Sequence, residues 1–267
     1  MSSPRPGVIL RRVDGAPHVA ELVLDRPEAF NAVSSAMAAA IAGATAELAA
    51  DDTLRAVVLS SSSEKAFCVG ADLKERNALT DDELRRQRPL ARSAYRGVLD
   101  LPVPTVAAVH GYALGGGCEL ALACDLIVAD ETATFGLPEV SVGVIPGGGG
   151  TQLLTRRVGW SRAADLVFTA RRIDADEAYR LGIADRLVPT GSDRKIALEL
   201  ATTISGHSPV GVRNAKKAMR LGLDVPLAAG LEVEDASWRA TAFSGDRSEG
   251  VAAFNEKREP NFHKFTS

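Results

Sequence analysis

Apolar positions along the chain follow the periods of strands and helices in alternation, and they predict an α/β protein. Strands are predicted at 8–13 and 18–24, where the turn Asp14-Gly15-Ala16-Pro17 indicates a hairpin. Continuous apolar runs predict further strands that are buried on both faces, at 55–60, 103–109 and 126–129. Helices are predicted at 34–50, 116–124 and 151–157, with Ser34 or Ser35 capping the first and Thr151 the last. Strands alternating with helices are typical of a layered α/β core.

The pattern changes near residue 193, because helical segments then follow one another without a strand between them. These segments are predicted at 194–205, 209–221, 226–242 and 248–257. We therefore divide the chain into an α/β core, residues 1–200, and a helical region, residues 201–267.

Composition narrows the functional class. The chain has 267 residues, of which 46% are apolar, and a net charge of −3, which gives no electrostatic reason to expect a nucleic-acid partner. The first residues lack the apolar segment of a signal peptide, and no run reaches the ~18 to 20 apolar residues of a membrane span. Cys68, Cys118 and Cys124 form no CxxC pair and are expected to be buried thiols in a reducing compartment. The sequence therefore predicts a cytoplasmic protein without a membrane segment.

Glu119 begins an apolar helix directly after three glycines, in the segment Gly115-Gly116-Gly117-Cys118-Glu119. Glycine costs a helix about 1 kcal/mol relative to alanine, so three at a helix start require a reason. Either the turn is tightly packed, or a ligand approaches bare amides that can stabilise an oxyanion. A carboxylate at the start of a buried helix should have a shifted pKa or a dedicated partner.

Glu139 lies in a second segment, ahead of Gly143 and the four glycines at 147–150. Taken alone, it fits an acid at a helix N-terminus as well as it fits a catalyst. No Lys-Ser or Lys-Thr follows the glycines, so a P-loop is not supported. The four histidines form no triad and no metal-ligand pattern, so we predict no metal site.

A third segment runs from Lys65 to Lys74 and follows a predicted buried strand. Gly70-Ala71 again leaves the backbone sparsely covered. The two lysines fit phosphate binding and an ordinary solvated loop equally well.

Taken in order, these segments resemble the crotonase (enoyl-CoA hydratase/isomerase) superfamily. Matching segments occur along nearly the whole chain, at 26–32, 65–74, 109–120, 135–139, 146–152, 178–185 and 246–258. The resemblance implies a spiral of ββα units in residues 1–200, with the catalytic and CoA sites. It implies that residues 201–267 form a helical region that assembles trimers or dimers of trimers. The implied substrate is an acyl-CoA thioester, so coenzyme A enters as part of the substrate and no separate cofactor is expected.

The resemblance also implies residue roles. The amides of Ala71 and Gly116 would form an oxyanion hole for the thioester carbonyl. Glu119 would act as base toward a water at C3, and Glu139 would deliver a proton to C2. The implied CoA-binding positions are Lys65, Val69, Leu73 and Lys74, with Val69 in place of the commoner alanine.

Both glutamates are present, which favours a hydratase that adds water syn to a 2-enoyl-CoA, because many other members of the superfamily lack one. A Δ3-Δ2 enoyl-CoA isomerase, in which one glutamate shuttles a proton, is an alternative, as is a non-catalytic acyl-CoA-binding paralogue. An RNA-binding relative is disfavoured, because the predicted helix at 34–50 contains no lysine or arginine.

The acyl group is the least defined part of the prediction. Its pocket is expected from residues 76–96 and from the surroundings of Val142 and Val144. Four arginines in the first stretch either form a solvated helix face or favour an acidic acyl group, namely Arg85, Arg86, Arg88 and Arg92. By analogy with relatives, a neighbouring subunit's CoA site is expected to be reached by Phe243, Phe262 and Lys264.

Overall fold

The computed structural model describes residues 5–262, and within them ten strands form two sheets. In chain order these are β1 (Val8–Val13), β2 (Ala16–Leu24), β3 (Ala56–Ser61), β4 (Ala66–Cys68), β5 (Thr105–Val109), β6 (Tyr112–Leu114), β7 (Leu126–Asp130), β8 (Thr134–Gly136), β9 (Arg172–Asp174) and β10 (Arg186–Val188). The larger sheet has the order β1-β2-β3-β5-β7-β10 and the smaller one the order β4-β6-β8-β9. Only the β1–β2 and β8–β9 pairs of the described chain are antiparallel.

Helices connect the strands and then continue without them after β10. In chain order they are α1 (Ser35–Ala49), α2 (Leu73–Ala78), α3 (Asp81–Leu99), α4 (Gly116–Ala123), α5 (Gly150–Val158), α6 (Trp160–Thr169), α7 (Ala175–Leu181), α8 (Asp193–Ser205), α9 (Pro209–Gly222), α10 (Leu227–Ala242) and α11 (Gly245–Glu256). The prediction of an α/β core followed by helices is confirmed.

Strand β3 illustrates why the larger sheet is buried on both faces. Successive side chains of a strand point to opposite faces, and every residue of β3 up to Ser60 is buried. Val57 and Leu59 join the main apolar core, whereas Val58 packs in a second cluster with Ala197 and Ala201 of α8. The continuous apolar run therefore reflects two covered faces, as predicted.

Two local predictions need correction. The second strand begins at Ala16 rather than at residue 18, so the hairpin loop is shorter than predicted. Helix α5 begins at Gly150 with Gly149 as its N-cap, so Thr151 lies inside the helix and does not cap it. The stretch 76–96, where a helix face was one expectation, consists largely of α3, which starts with a capping box between Thr80 and Glu83.

Ion pairs and hydrogen bonds attach the C-terminal region to the core. The Asp125 carboxylate, just before β7, accepts hydrogen bonds from Lys216 and Arg220 of α9, each at 2.7 Å. Arg55, just before β3, donates to the carbonyls of Ser205 and Phe262, each at 3.1 Å.

The groove between α9 and α10 has a volume of about 660 Å³ and is lined mainly by apolar side chains. Met219, Leu227 and Trp238 of this groove are 76%, 79% and 63% exposed. The division at residue 200, which falls inside α8, and the oligomeric state stay predictions. No helix within residues 5–262 combines the length and the apolar content that a membrane crossing requires.

Candidate active site

Two backbone segments, the loop after β4 and the first turn of α4, meet at the candidate site. A Cβ on Gly70 would lie 2.8 Å from the Gly116 nitrogen, so a side chain there would push the segments apart. Gly70 also has a φ of +90°, which only glycine adopts without strain. On the other side, a Cβ on Gly117 would overlap the Cys68 carbonyl oxygen. The glycines flagged in the sequence therefore serve a close approach of backbone to backbone.

The amides of Ala71 and Gly116 are brought together by this contact. Val33 forms hydrogen bonds with the residues on either side of Ala71. Its N–H donates to the Gly70 carbonyl at 2.7 Å, and its carbonyl accepts from the Asp72 N–H at 3.1 Å. Neighbouring amides of an extended chain point to opposite sides, so the Ala71 N–H is directed away from Val33. Gly116 is the first residue of α4, and its N–H lacks an acceptor within that helix. Both amides can thus donate to one external oxygen.

Glu119 is 3% exposed and is held by the glycine-rich loop that precedes α5. Its Oε1 accepts hydrogen bonds from the N–H groups of Gly148 and Gly150, both at 2.7 Å. Burial raises the pKa of Glu119, although the two amides oppose this effect by stabilising the ionised form. Glu119 therefore has dedicated hydrogen-bond partners, as predicted from the sequence, and these partners are backbone amides.

Glu139 approaches from a short 3-10 helix, Pro138–Val142. Its Oε1 lies against Gly115, where a Cβ would be 3.1 Å away, and its Oε2 is buried without a hydrogen-bond partner in the described chain. Burial and the neighbouring charge of Glu119 raise the pKa of Glu139 to about 7. Glu139 is therefore a partly buried carboxyl beside Glu119 and not a simple surface acid.

Tyr95 of α3 also contacts this site, and within the stretch 76–96 no sequence pattern distinguished it. Its ring fills the space beside Gly148, where a Cβ would lie 2.7 Å from ring carbons, and its hydroxyl lies against Gly116. Burial, and then the charge of Glu119, raise the pKa of Tyr95, so the phenol stays protonated at neutral pH. A protonated hydroxyl beside Gly116 adds a potential hydrogen-bond donor next to the paired amides.

The four predicted CoA-binding residues belong to the chain segment that carries Ala71. Lys65 and Lys74 are exposed, and Leu73 is 61% exposed. Val69 is half-buried, and its N–H donates to the Phe30 carbonyl at 3.2 Å.

This loop is braced by Asp72, which caps α2 by accepting from the N–H groups of Lys74 and Glu75 at 3.1 Å. Arg26 in turn donates to Asp72 at 2.6 Å and to the Ala32 carbonyl at 2.9 Å. The conspicuous segment around Arg26 therefore supports the loop that carries Ala71.

The residues expected to reach a neighbouring subunit's CoA site differ in their exposure. Phe243 is 87% exposed, whereas Phe262 is 9% exposed and packs beside Gly250 of its own chain. Lys264 lies outside the described residues. No cluster of three or more His, Cys, Asp or Glu side chains suited to a metal occurs between residues 5 and 262.

Comparison with known proteins decides the family. The model of the enoyl-CoA hydratase/isomerase family matches residues 15–265. The chain belongs to this family and hence to the crotonase superfamily. The match spans both glutamates, both paired amides and the loop between Lys65 and Lys74.

Individual members of the family resemble the chain over nearly its full length. It is 41% identical over 260 residues to an Arabidopsis thaliana protein named "probable enoyl-CoA hydratase 2, mitochondrial", which covers 97% of this chain and 86% of that protein. It is 40% identical over 246 residues to the mitochondrial methylglutaconyl-CoA hydratase of Mus musculus, covering 90% and 78%. The crystal structure of an enoyl-CoA hydratase from Bacillus anthracis has a TM-score of 0.93 and 38% identity, and covers 96% of this chain and 98% of that one.

Proposed function

We propose that the protein is an enoyl-CoA hydratase, which adds water syn across the 2,3-double bond of a 2-enoyl-CoA thioester. The observation that carries the proposal is a buried and a partly buried carboxyl beside two backbone amides that have no acceptor among residues 5–262. Glu119 is stabilised as an anion by two N–H donors, whereas Glu139 has a pKa of about 7 and is protonated in a large fraction of molecules at neutral pH. The two amide donors suit Glu119 to act as the base, and the protonated fraction of Glu139 suits it to act as the acid.

In the proposed reaction the Ala71 and Gly116 amides bind the thioester oxygen. Glu119 takes a proton from water as the water oxygen forms its bond to C3, and negative charge moves to the thioester oxygen. Glu139 then gives its proton to C2, and the carbonyl re-forms. Each oxyanion donor contributes roughly 3 kcal/mol to lowering the barrier, and each acid or base roughly 10²- to 10⁴-fold in rate.

Substrate binding is assigned to the loop that leads into α2. Lys65 and Lys74 are exposed cations suited to the phosphates of coenzyme A, and Val69 and Leu73 supply backbone and apolar contacts beside them. Coenzyme A is part of the substrate, so the proposed reaction uses no separate cofactor. The cytoplasmic location stays a prediction.

Hydration of crotonyl-CoA by the separate variants Glu119→Gln and Glu139→Gln tests the proposal. Each substitution keeps the size of the side chain but removes its proton transfer, so kcat should fall roughly 10²- to 10⁴-fold in both. Glu199→Gln, at an exposed position on α8, is the matched control and should retain full activity. Near-full hydration by either active-site variant would contradict the two-carboxylate mechanism.

A Δ3-Δ2 isomerase is the second candidate, favoured by one observation. The buried Oε2 of Glu139 has no partner among the described residues, so this carboxyl can both accept and return a proton near pH 7. Conversion of 3-hexenoyl-CoA to 2-hexenoyl-CoA separates the two functions. Retained isomerisation in Glu119→Gln, together with lost hydration, would favour the isomerase.

We also propose that residues 201–267 form the oligomerisation region of a trimer or a dimer of trimers. The exposed apolar side chains between α9 and α10 support this, because isolated subunits rarely leave such a surface in water. Light scattering on Trp238→Glu should show smaller assemblies than on the exposed control Glu199→Gln. An unchanged mass would contradict an interface at this groove.

A further inference from the structure

Two arginines, Arg76 of α2 and Arg88 of α3, lie beside the candidate catalytic carboxyls. Neither forms an ion pair with a carboxylate of residues 5–262. Other arginines of the same segment are neutralised by acids, since Arg85 pairs with Asp82 at 2.6 Å and Arg96 with Asp100 at 2.5 Å. Arg86 and Arg92 of α3 have no ion pair among residues 5–262 either, so Arg76 and Arg88 are distinguished by their position beside the site and not by the lack of a partner alone.

Arg88 is fixed by the loop that holds Glu119. Its Nη2 donates to the Gly147 carbonyl at 2.6 Å, and its guanidinium carbon would lie 3.2 Å from a Cβ on Gly147. The next residue, Gly148, donates its N–H to Glu119. A guanidinium carries five N–H donors, so this bond leaves Arg88 with donors for a further acceptor.

Arg76 lies one helical turn beyond Asp72, and its N–H donates to the Asp72 carbonyl at 3.0 Å. It is half-buried, and its positive charge acts on both Glu139 and Tyr95. Its guanidinium is therefore within electrostatic range of both side chains. A half-buried cation that has no ion pair within the described chain is suited to bind a negative group of a ligand.

In the proposed binding mode, the negative group lies on the acyl chain beyond C3. The thioester oxygen is bound by the Ala71 and Gly116 amides, and C2 and C3 lie between the two glutamates. The acyl chain beyond C3 is assigned to the side of α2 and α3, because residues 76–96 are the stretch expected to line its pocket. A plain hydrocarbon would give Arg76 no acidic partner and would leave the remaining donors of Arg88 unused, whereas a carboxylate matches the geometry and charge of both groups.

We propose that the acyl group of the substrate carries a carboxylate, which Arg76 and Arg88 bind. This specificity rests on the proposed hydratase function and narrows its substrate class to carboxylated short-chain enoyl-CoA thioesters. The arginines select the substrate and take no part in proton transfer.

The test compares 4-carboxybut-2-enoyl-CoA with pent-2-enoyl-CoA, which has the same number of carbons and no charge on the acyl group. The wild-type protein should hydrate the carboxylated thioester with a kcat/KM roughly tenfold or more higher. Arg76→Gln and Arg88→Gln should each lower this ratio roughly tenfold, mainly through KM for the carboxylated substrate. Arg85→Gln, whose parent side chain already pairs with Asp82, is the matched control and should keep the wild-type ratio.

Binding of the unreactive thioesters glutaryl-CoA and pentanoyl-CoA, measured by titration calorimetry, keeps the inference testable even without turnover. A lower Kd for glutaryl-CoA that is lost in Arg76→Gln supports the inference, whatever the reaction. Equal Kd values for the two thioesters would overturn the inference, because the carboxylate would then add nothing to binding. An equal loss of affinity for both thioesters in the arginine variants would also overturn it, because the arginines would then contact the CoA part. Efficient hydration of both enoyl-CoA substrates with equal kcat/KM would also overturn the inference, while leaving the proposed hydratase function intact. If neither substrate is hydrated, the proposed function fails and calorimetry alone decides the specificity.

Discussion

Glu119 accepts two backbone N–H hydrogen bonds of 2.7 Å at Oε1, whereas the buried Oε2 of its neighbour Glu139 accepts none from residues 5–262. Hydrogen bonds to a carboxylate favour its ionised form, and burial without them favours the protonated form. The backbone therefore gives two carboxyls of the same chemistry different hydrogen-bonding environments, which supports the opposite tasks proposed for them.

The first prediction concerns the pH dependence of activity. Burial, followed by the charge of Glu119, raises the pKa of Glu139 to about 7, so the acid form is lost as the pH rises through that value. The kcat for hydration should fall on the alkaline side with an apparent pKa near 7, and the residual activity of Glu139→Gln should lack this limb. A wild-type profile that stays level through this pH range would assign the acid role elsewhere.

The same shift predicts a gain in stability from Glu139→Gln. The folded-state pKa of about 7 exceeds the ordinary value of 4.5, so the stabilisation by protonation is present below pH 4.5 and is lost as the pH rises through 7. Glutamine mimics the protonated group at every pH. Urea unfolding should show the variant more stable than wild type by on the order of 1 kcal/mol at about pH 8.5, after discounting for partial solvent exposure.

The control for this gain is the pH series itself. The difference between Glu139→Gln and wild type should shrink at about pH 5, and Glu199→Gln should show no such pH dependence. A gain that is equal at both pH values would point to altered packing and not to the carboxyl.

Gly70→Ala should impair catalysis by separating the Ala71 and Gly116 amides. The new methyl group would lie 2.8 Å from the Gly116 nitrogen, and loss of one oxyanion donor lowers kcat roughly 10²- to 10³-fold. Gly15→Ala is a matched control, because Gly15 has a φ of +76° and nothing within 4 Å of the new Cβ. Equal losses of kcat in the two variants would attribute the effect to backbone strain alone.

Asp125→Asn should weaken the attachment of α9 to the core. The carboxylate bonds both Lys216 and Arg220 at 2.7 Å, and removing one partner of such a partly buried network costs about 3 kcal/mol of unfolding free energy. Burial alone would raise the pKa of Asp125, but the two cations outweigh it and the pKa is lowered. This stabilisation is therefore present above the ordinary Asp pKa and is lost as the pH falls below it.

Chemical unfolding at neutral pH measures this loss, with Asp82→Asn as the comparison. Asp82 and Arg85 form an ion pair in which both side chains are 73% exposed, and such pairs contribute little. A loss for Asp125→Asn no larger than that for Asp82→Asn would contradict the anchoring role.

Periodic segments of the fold could be predicted from the sequence, but short or polar ones could not. Helix α1 and strand β5 have continuous apolar patterns, and both lie within a few residues of their predicted bounds. Strands β4, β6 and β8 contain only three residues each, which is too few to display a period. Helix α3 begins with a polar first half, so its one usable signal was the capping box of Thr80 and Glu83.

The candidate site was predictable in its parts but not in its assembly. Glu119 and Gly116 stood out because carboxylates and glycines are unusual inside apolar segments. The bond from Gly148 to Glu119 joins residues 29 apart, and no local pattern encodes such a distance in the chain. Tyr95 and Arg76 were not distinguished within the stretch 76–96 for the same reason, since their positions beside the glutamates depend on tertiary packing such as that of α3 against α4.

Gly111 allows the segment at Lys65 to pack closely against the start of the strand that leads to α4. A side chain at this glycine would overlap the Lys65 carbonyl, and the Tyr112 N–H donates to the same carbonyl at 3.3 Å. Strand β6 then covers only Tyr112–Leu114 before the chain turns into α4 at Gly116. In the proposed binding mode, with Lys65 at the phosphates, one short segment would join the nucleotide to the paired amides of Ala71 and Gly116. Binding energy gained far from the double bond would then help to hold those amides in register, and coenzyme A would contribute to rate as well as to affinity.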